Sequence, residues 1–169
     1  TGSNGMLGSE LCLNDKYKYE FICTSLHPKK RKHQFLDVTK KDKVKKILDY
    51  YNPDVIINCS AYTNVDKAEN NKAITHEVNV SGLQHLIKYS DFQTKIVHIS
   101  TDYVFDGQHS PYYEDSNTFP LNYYGKTKLE AENMLIGSNR KFIIIRPNVL
   151  FSYKDNNFFT FVYKNLLNN

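Results

Sequence analysis

The stretch Thr1-Gly2-Ser3-Asn4-Gly5-Met6-Leu7-Gly8 opens the chain with glycines at the spacing G-x-x-G-x-x-G. The first glycine permits a tight turn, the second lets the backbone approach a pyrophosphate, and the third lets a helix pack closely on a sheet. A helical pattern from Gly5 to Asn14 follows, and its N-terminus would offer N–H groups and a positive dipole end to phosphates. By itself the pattern is a weak signal. A flexible glycine-rich terminus would look the same, and the strand that should precede the turn lies outside the chain.

Beyond this turn, short apolar runs alternate with helical patterns along the whole chain. The predicted strands are Tyr19–Ser25, Val55–Cys59, Lys95–Ser100 and Phe142–Arg146, and the further predicted helices are Lys40–Tyr51, Asn70–Tyr89, Tyr124–Ile136 and Asn156–Asn168. This alternation predicts an α/β fold with a doubly wound parallel sheet, the Rossmann arrangement. Both ends look like cuts, so residues 1–169 are expected to form one dinucleotide-binding domain, truncated at both ends. In such a sheet, ligands bind outside the carboxyl ends of the strands.

Composition and charge exclude several classes of protein. The 169 residues are 40% hydrophobic and carry a net charge of +4, which favours one folded globular domain. The basic runs Lys29–Lys32 and Lys40–Lys46 lack interleaved aromatic residues, so no nucleic-acid partner is expected. No apolar stretch could span a membrane and no signal peptide is present, which favours a cytoplasmic protein.

The three cysteines Cys12, Cys23 and Cys59 are widely spaced. An odd count without a Cys-x-x-Cys pair argues against a disulfide framework and against a zinc site, and no other metal site is predicted. A reducing compartment fits this cysteine usage.

Tyr124 and Lys128 lie four residues apart, on one face of a predicted helix. A nearby ammonium is expected to lower the pKa of a tyrosine phenol below its usual value of about 10. Such a tyrosine can give a proton to a carbonyl oxygen as hydride arrives at carbon, while the lysine holds the nicotinamide ribose. Tyr and Lys are both abundant here, so a pair at this spacing is expected by chance alone. The surrounding residues must therefore support the hypothesis.

The context is a set of polar residues at successive strand ends. Ser100-Thr101-Asp102 follows one strand, and Asn58-Cys59-Ser60-Ala61 ends the strand before it. A hydroxyl at Thr101 could hydrogen-bond and polarise a substrate carbonyl, and small residues after Asn58 would leave room for a cofactor. The structural alternatives are that Thr101 caps a turn and that Asn58 satisfies backbone groups.

The segment Cys23–His27 bears on the choice of cofactor. It contains no Asp or Glu to bind the ribose hydroxyls of NADH, whereas Lys29, Lys30 and Arg31 follow closely. These cations would suit a 2′-phosphate, so NADPH is favoured over NADH. A solvated basic loop explains them equally well.

The motifs together resemble the dTDP-4-dehydrorhamnose reductase family, a branch of the extended short-chain dehydrogenases. The resemblance runs from Thr1 to about Phe151 in collinear order. It is carried by Gly2, Gly5 and Gly8, by Ile56–Glu69, by Val78-Asn79-Val80, by Ile99-Ser100-Thr101-Asp102-Tyr103-Val104-Phe105-Asp106-Gly107, and by Tyr124-Gly125-Lys126-Thr127-Lys128-Leu129-Glu130.

The resemblance implies NADP- or NAD-dependent hydride transfer to the C4 keto group of a dTDP-4-keto-6-deoxy sugar, with Thr101, Tyr124 and Lys128 as the catalytic triad. The family's smaller C-terminal substrate domain is mostly absent from this chain. Asn79 matches a helix asparagine that shapes the family's site. The nucleotide sugar is the expected partner, and a homodimer is left open. The implied cofactor-binding residues are Gly2, Asn4, Gly5, Met6, Leu7, Gly8, Asp37, Val38, Asn58, Cys59, Ser60, Ala61, Tyr62, Tyr124 and Lys128. The implied substrate-binding residues are Thr63, Val65, Thr101, Asp102, Tyr103 and Asn148.

One departure and three rival hypotheses limit the prediction. The reductases typically carry Arg-Thr-Ser-Trp-Val-Tyr after the fifth strand, whereas this chain has Arg146–Phe151 (Arg-Pro-Asn-Val-Leu-Phe) and no tryptophan. The substrate sugar is therefore left open. The chain could instead belong to an epimerase or another sugar reductase. It could also act as a regulatory subunit like that of methionine adenosyltransferase, which resembles it in Tyr-Gly-Lys-Thr-Lys. A domain with purely structural Tyr and Lys is the third rival.

Overall fold

The computed structural model describes residues 1–13, 19–30, 32–153 and 157–167. Its strands are β1 (Thr24–Ser25), β2 (Gln34–Phe35), β3 (Val55–Asn58), β4 (Lys95–Ile99) and β5 (Phe142–Ile145). Its helices are α1 (Met6–Leu13), α2 (Lys41–Tyr51), α3 (Val65–Asn70), α4 (Lys72–His76), a π-helical segment (Glu77–Ser81), α5 (Gly82–Tyr89), a 3₁₀ turn (Asp102–Val104), α6 (Tyr123–Ile136) and α7 (Phe158–Leu167).

All the strand pairs are parallel, as the alternating pattern predicts. β1 pairs with β2, and β4 lies between β3 and β5 in a three-stranded sheet. Residues 1–3 run between the two sheets and hydrogen-bond to both. The amide of Ser3 donates to Thr24 over 3.0 Å, and the amide of Cys59 donates to the carbonyl of Thr1 over 3.1 Å. The glycine-rich turn is thus held between the two sheets, next to β3. The parallel strands with flanking helices confirm the predicted α/β class.

Two clusters of buried side chains fix the helices on the strands. In one, Ile56 of β3 packs with Val44 and Leu48 of α2 and with Leu86 of α5. Val44 and Leu48 are four residues apart and so lie on one face of α2, which faces the sheet. The second cluster is formed by Leu83, Ile96, Ala131 and Leu135 and joins α5, β4 and α6.

Several predicted elements differ from the structure. The strand predicted over Tyr19–Ser25 pairs with another strand only at Thr24–Ser25, because its partner β2 is two residues long. β2 itself was not predicted. The helix predicted over Asn70–Tyr89 begins earlier, at Val65, where the Asn64 side chain accepts from the amide of Lys67, and it is broken at Asn71. The outer strands β3 and β5 are partly exposed, since Val55 is 47% and Ile143 45% exposed.

The prediction that the cysteines form no disulfide is wrong. Cys12, in the last turn of α1, is bonded to Cys23, next to β1, with their Cα atoms 6.4 Å apart. The odd count could not show this, because the fold brings together two cysteines 11 residues apart and leaves Cys59 free. In the part of the chain that the structure describes, no helix has both the length and the apolar character that a membrane span requires.

Candidate active site

The glycine-rich turn is held by contacts that leave no room for side chains. Gly2 has φ +77°, and a Cβ there would lie 2.6 Å from the carbonyl carbon of Cys59. A Cβ on Gly8 would lie 2.3 Å from the carbonyl oxygen of Gly2. Gly5 is exposed and less crowded, with 3.4 Å to the same oxygen. Gly2 and Gly8 therefore let α1 start directly against the end of β3, with its N-terminus towards the carboxyl ends of the strands.

Asn58 ends β3 and is buried at the carboxyl edge of the sheet, where the parallel strands end. Its Oδ1 accepts from the amide of Ser60 over 3.1 Å, and its Nδ2 lies 3.2 Å from His98 Nδ1. An amide nitrogen only donates, so His98 Nδ1 is the acceptor and the ring proton sits on Nε2. Burial, and then the charge of Lys128, lower the pKa of His98 to about 2, so the ring is neutral. Sequence analysis missed His98, although a polar residue in the apolar run of β4 was the available signal.

Thr101 follows β4 by two residues and is buried at the same edge. Its Oγ1 accepts from the amide of Tyr103 and donates to Asp102 Oδ1, both over 3.2 Å. Thr101 therefore caps the 3₁₀ turn, which was the structural alternative, and it also faces Tyr124, whose phenol it hydrogen-bonds. The ring of Tyr103 packs edge-on against Tyr124 with 5.9 Å between centroids.

Lys128 is 1% exposed, and its Nζ donates to the carbonyl of Ile99 over 2.6 Å. Burial lowers its pKa to about 8, against the opposing effects of Glu132 and Cys59. Its charge in turn acts against burial at Cys59, although burial prevails there and raises the pKa of the thiol. The lysine thus lies between the ends of β3 and β4.

The expected lowering of the Tyr124 pKa is not what the structure shows. Burial raises the pKa of this phenol, a side-chain hydrogen bond with Thr101 lowers it, and the charge of Asp102 raises it further. The ammonium of Lys128 donates instead to the carbonyl of Ile99. Tyr124 is therefore a neutral phenol at neutral pH.

Helix α6 is positioned by close backbone contacts at its start. Asn122 Oδ1 accepts from the amide of Gly125 over 2.7 Å and caps the helix. A Cβ on Gly125 would lie 2.3 Å from the carbonyl oxygen of Tyr103. Glycine at this position lets the helix carrying Tyr124 and Lys128 approach the turn carrying Thr101.

Asn79 links the loop after β3 to α6. Its Oδ1 accepts from the amide of Tyr62 over 2.8 Å, and its Nδ2 donates to Thr127 Oγ1 over 3.0 Å. The π-helical segment that carries Asn79 places this side chain, which is 1% exposed, between the two elements.

Sequence analysis missed a buried ion pair behind the triad. Glu132 is fully buried and binds Arg146 with Nη2 to Oε2 at 2.7 Å and Nε to Oε1 at 3.1 Å. Ser100 Oγ also donates to Glu132. The pair ties α6 to the ends of β4 and β5, and only its place one turn after Lys128 could have indicated it.

The predicted substrate residues lie at the rim of this edge. Asp102 donates its amide to the carbonyl of Pro147 over 3.2 Å, which brings the exposed Asn148 beside the triad loop. Thr63 and Tyr103 are exposed, and Val65 is half-buried at the start of α3.

Asp37 and Val38, two of the implied cofactor-binding residues, make contacts that do not involve Thr101, Tyr124 or Lys128. Asp37 Oδ1 accepts from the amide and hydroxyl of Thr39, and the carbonyl of Val38 accepts from His85 over 2.9 Å. Lys29 and Lys30 are exposed, while Arg31 lies outside the described residues. Ser25 Oγ, at the end of β1, is buried and has no hydrogen-bond partner among the described residues.

A cavity of about 310 Å³ adjoins the first turn of α1. Met6 and Leu7, both predicted to bind cofactor, line it together with residues 150–153. The cavity therefore continues the glycine-rich turn towards the segment that follows β5.

The comparisons with known proteins agree with this geometry. The family model described as RmlD substrate binding domain matches residues 1–169. A dTDP-4-dehydrorhamnose reductase of Aggregatibacter actinomycetemcomitans is 40% identical over 162 residues, covering 94% of this chain and 53% of that protein. A solved structure of dTDP-4-dehydrorhamnose reductase from Bacillus anthracis in complex with NADP superimposes with a TM-score of 0.83 at 28% identity, covering 99% of this chain and 58% of that one.

A third relative has a different role. Methionine adenosyltransferase 2 subunit beta of Xenopus tropicalis is 32% identical over 153 residues, which is 89% of this chain and 46% of that protein. The chain spans about half the length of the curated relatives it matches. Since the family model covers the whole chain, the chain belongs to the dTDP-4-dehydrorhamnose reductase family.

Proposed function

We propose that the protein reduces the C4 keto group of a dTDP-4-keto-6-deoxy sugar with NADPH, and that residues 1–169 form its dinucleotide-binding domain. The observation that carries the proposal is the meeting of Thr101, Tyr124 and Lys128 at the carboxyl edge of β4, beside the glycine-rich turn. A polar triad next to a phosphate-type turn suits hydride transfer between a dinucleotide and a carbonyl. The names of the similar reductases support this reaction.

The residues present fit a dinucleotide. Gly5 is exposed and carries no side chain, so a pyrophosphate can approach the backbone at the start of α1. Ser25 Oγ is buried without a partner among the described residues, where an adenosine ribose would lie in this fold. The exposed Lys29 and Lys30 suit a 2′-phosphate, and the Bacillus anthracis complex with NADP supports NADPH over NADH.

When bound, NADPH supplies the hydride that reduces the carbonyl carbon. Thr101 Oγ1 donates to the carbonyl oxygen in place of Asp102, and this polarises the carbonyl. Tyr124 gives its phenolic proton to the oxygen as negative charge develops there. Its raised pKa keeps that proton in place at neutral pH. Lys128, charged below its pKa of about 8, holds the nicotinamide ribose.

The test is the loss of NADPH absorbance with the full-length protein and dTDP-4-keto-6-deoxy sugars. Tyr124→Phe should lower kcat at least about a hundredfold, since it removes the proton donor, and should leave NADPH binding intact. Tyr123→Phe is the matched control. This neighbour keeps its ring contact with Lys72, so the rate should be unchanged. Normal turnover by the Tyr124 variant would show that the assigned role is wrong.

A regulatory, non-catalytic subunit is the second candidate, favoured by the likeness to methionine adenosyltransferase 2 subunit beta. NADPH binding without turnover of any keto sugar, together with co-purification with a methionine adenosyltransferase, would support it over the reductase.

A further inference from the structure

Three residues outside the proposed catalytic groups converge behind the glycine-rich turn. Cys12 and Cys23 form the disulfide, and a ring nitrogen of His33 lies within 4.8 Å of both sulfur atoms. All three side chains are half-buried, so a small molecule can reach them.

This cluster contacts the turn by three routes. His33 Nδ1 lies 3.0 Å from Ser3 Oγ, and Ser3 is 3% exposed inside the turn. The amide of Ser3 donates to Thr24, which follows Cys23 directly. Cys12 lies on α1, the helix that starts at the turn. The disulfide therefore joins the two elements that hold the turn from either side.

We propose that Cys12 and Cys23 are a reversible oxidation site whose disulfide holds the turn in its cofactor-binding form. The proposal rests on the proposed function, because it takes the turn to be the dinucleotide site. Breaking the bond frees the end of α1 from the segment before β1. The turn then has to be ordered when the dinucleotide binds, which weakens binding.

The oxidant is a small-molecule disulfide of the glutathione type. The thiolate of one cysteine attacks it, forms a mixed disulfide and releases one glutathione thiolate. The second cysteine then attacks the mixed disulfide, forms the Cys12–Cys23 bond and releases the second glutathione. The two protein thiols lose two electrons and two protons, and oxidised glutathione becomes two reduced molecules.

The test equilibrates the full-length protein in glutathione buffers of graded oxidised-to-reduced ratio. Alkylation and mass spectrometry of peptides covering this chain should show one free thiol, Cys59, in the oxidised form and three in the reduced form. The dissociation constant for NADPH should be roughly fivefold or more higher in the reduced form, a typical size for coupling between two sites. The double variant Cys12→Ser with Cys23→Ser should bind like the reduced protein at every glutathione ratio. If this variant does not fold, the two states of the unsubstituted protein still decide.

Equal NADPH affinity in the two states would overturn the proposal. One zinc ion per chain in protein purified under reductant, lost in the double variant, would also overturn it, because the three ligands would then be a metal site. If neither state binds NADPH, the proposed function fails. Faster amide hydrogen exchange of residues 2–8 on reduction would then still support the coupling, and unchanged exchange would refute it.

Discussion

Replacing Glu132 by glutamine tests whether the buried ion pair holds α6, the helix of the proposed catalytic residues, in place. The substitution removes a charge and leaves the shape of the side chain nearly unchanged. In the structure the carboxylate is fully buried, binds Arg146 through two nitrogens and accepts from Ser100. The glutamine oxygen can accept one of these bonds. Its NH₂ group can only donate, so it would face the donor groups of Arg146 or Ser100 without forming a hydrogen bond.

The expected loss follows from what is left unpaired. Removing one partner of a buried ion pair costs about 3–5 kcal/mol, because the other charge stays buried. Arg146 keeps 21% of its side-chain exposure, so water relieves part of this cost and the expected loss is about 2–3 kcal/mol. Glu132 also supports the charge of Lys128, so the pKa of Lys128 should fall further in this variant.

Urea unfolding at neutral pH measures the loss of stability. The matched control is Glu130→Gln on the same helix. Glu130 pairs with His76 at 3.1 Å, and both side chains are well exposed, so this change should cost less than about 1 kcal/mol. A Glu132 variant as stable as the control would refute the argument that the ion pair anchors α6.

Three further predictions concern stability and cofactor binding. Gly8→Ala should destabilise the protein by roughly 1–3 kcal/mol, because its Cβ would lie 2.3 Å from a backbone oxygen, whereas Gly5→Ala should cost much less. Equal unfolding free energies for the two variants would contradict the argument that Gly8 is tightly packed. The pKa of Lys128 falls from 10.5 to about 8 on folding, so the unfolded state binds more protons between these values and the free energy of unfolding should rise with pH across them, by up to about 3 kcal/mol. Urea titrations at several pH values would show this rise, and its persistence in Lys128→Met would assign it elsewhere. The double variant Lys29→Glu with Lys30→Glu should raise the dissociation constant of NADPH by at least about fivefold and leave that of NADH nearly unchanged, as measured by fluorescence titration. Equal effects on both cofactors would show that these lysines do not bind the 2′-phosphate.

Much of the fold could be predicted because β3, β4 and β5 are short runs rich in Ile and Val. β3, β4 and β5 lie where the sequence places them, since Ile and Val runs have few other uses in an α/β domain. The strand predicted over Tyr19–Ser25 is longer than β1, because the length of β1 is set by its partner β2. β2 is short and has no sequence signal of its own. The break at Asn71 was missed because helical periodicity continues across it.

The site divides in the same way between local and long-range information. Thr101, Tyr124 and Lys128 could be proposed from strand ends and helical spacing, because those rules act over a few residues. Glu132 and His98 stand at positions that a local pattern could mark. Their partners lie 14 to 40 residues away, so their contacts could not be predicted from a local pattern. The direction of the Tyr124 pKa was wrong because the sequence shows that a lysine is near but not where its ammonium points.

The Lys128 ammonium shows how these two kinds of residue depend on each other. Burial alone disfavours its charge, and the charge is what the proposed mechanism needs. The carbonyl of Ile99 accepts from it, and Glu132, one turn further along α6, opposes the fall in its pKa. Glu132 can stay ionised in the interior because Arg146 and Ser100 bind it. The lysine that the helix motif indicates thus remains charged near neutral pH through a carboxylate that no motif indicates. We therefore expect changes at Glu132 to weaken the proposed hold of Lys128 on the nicotinamide ribose, although Glu132 itself touches neither cofactor nor substrate.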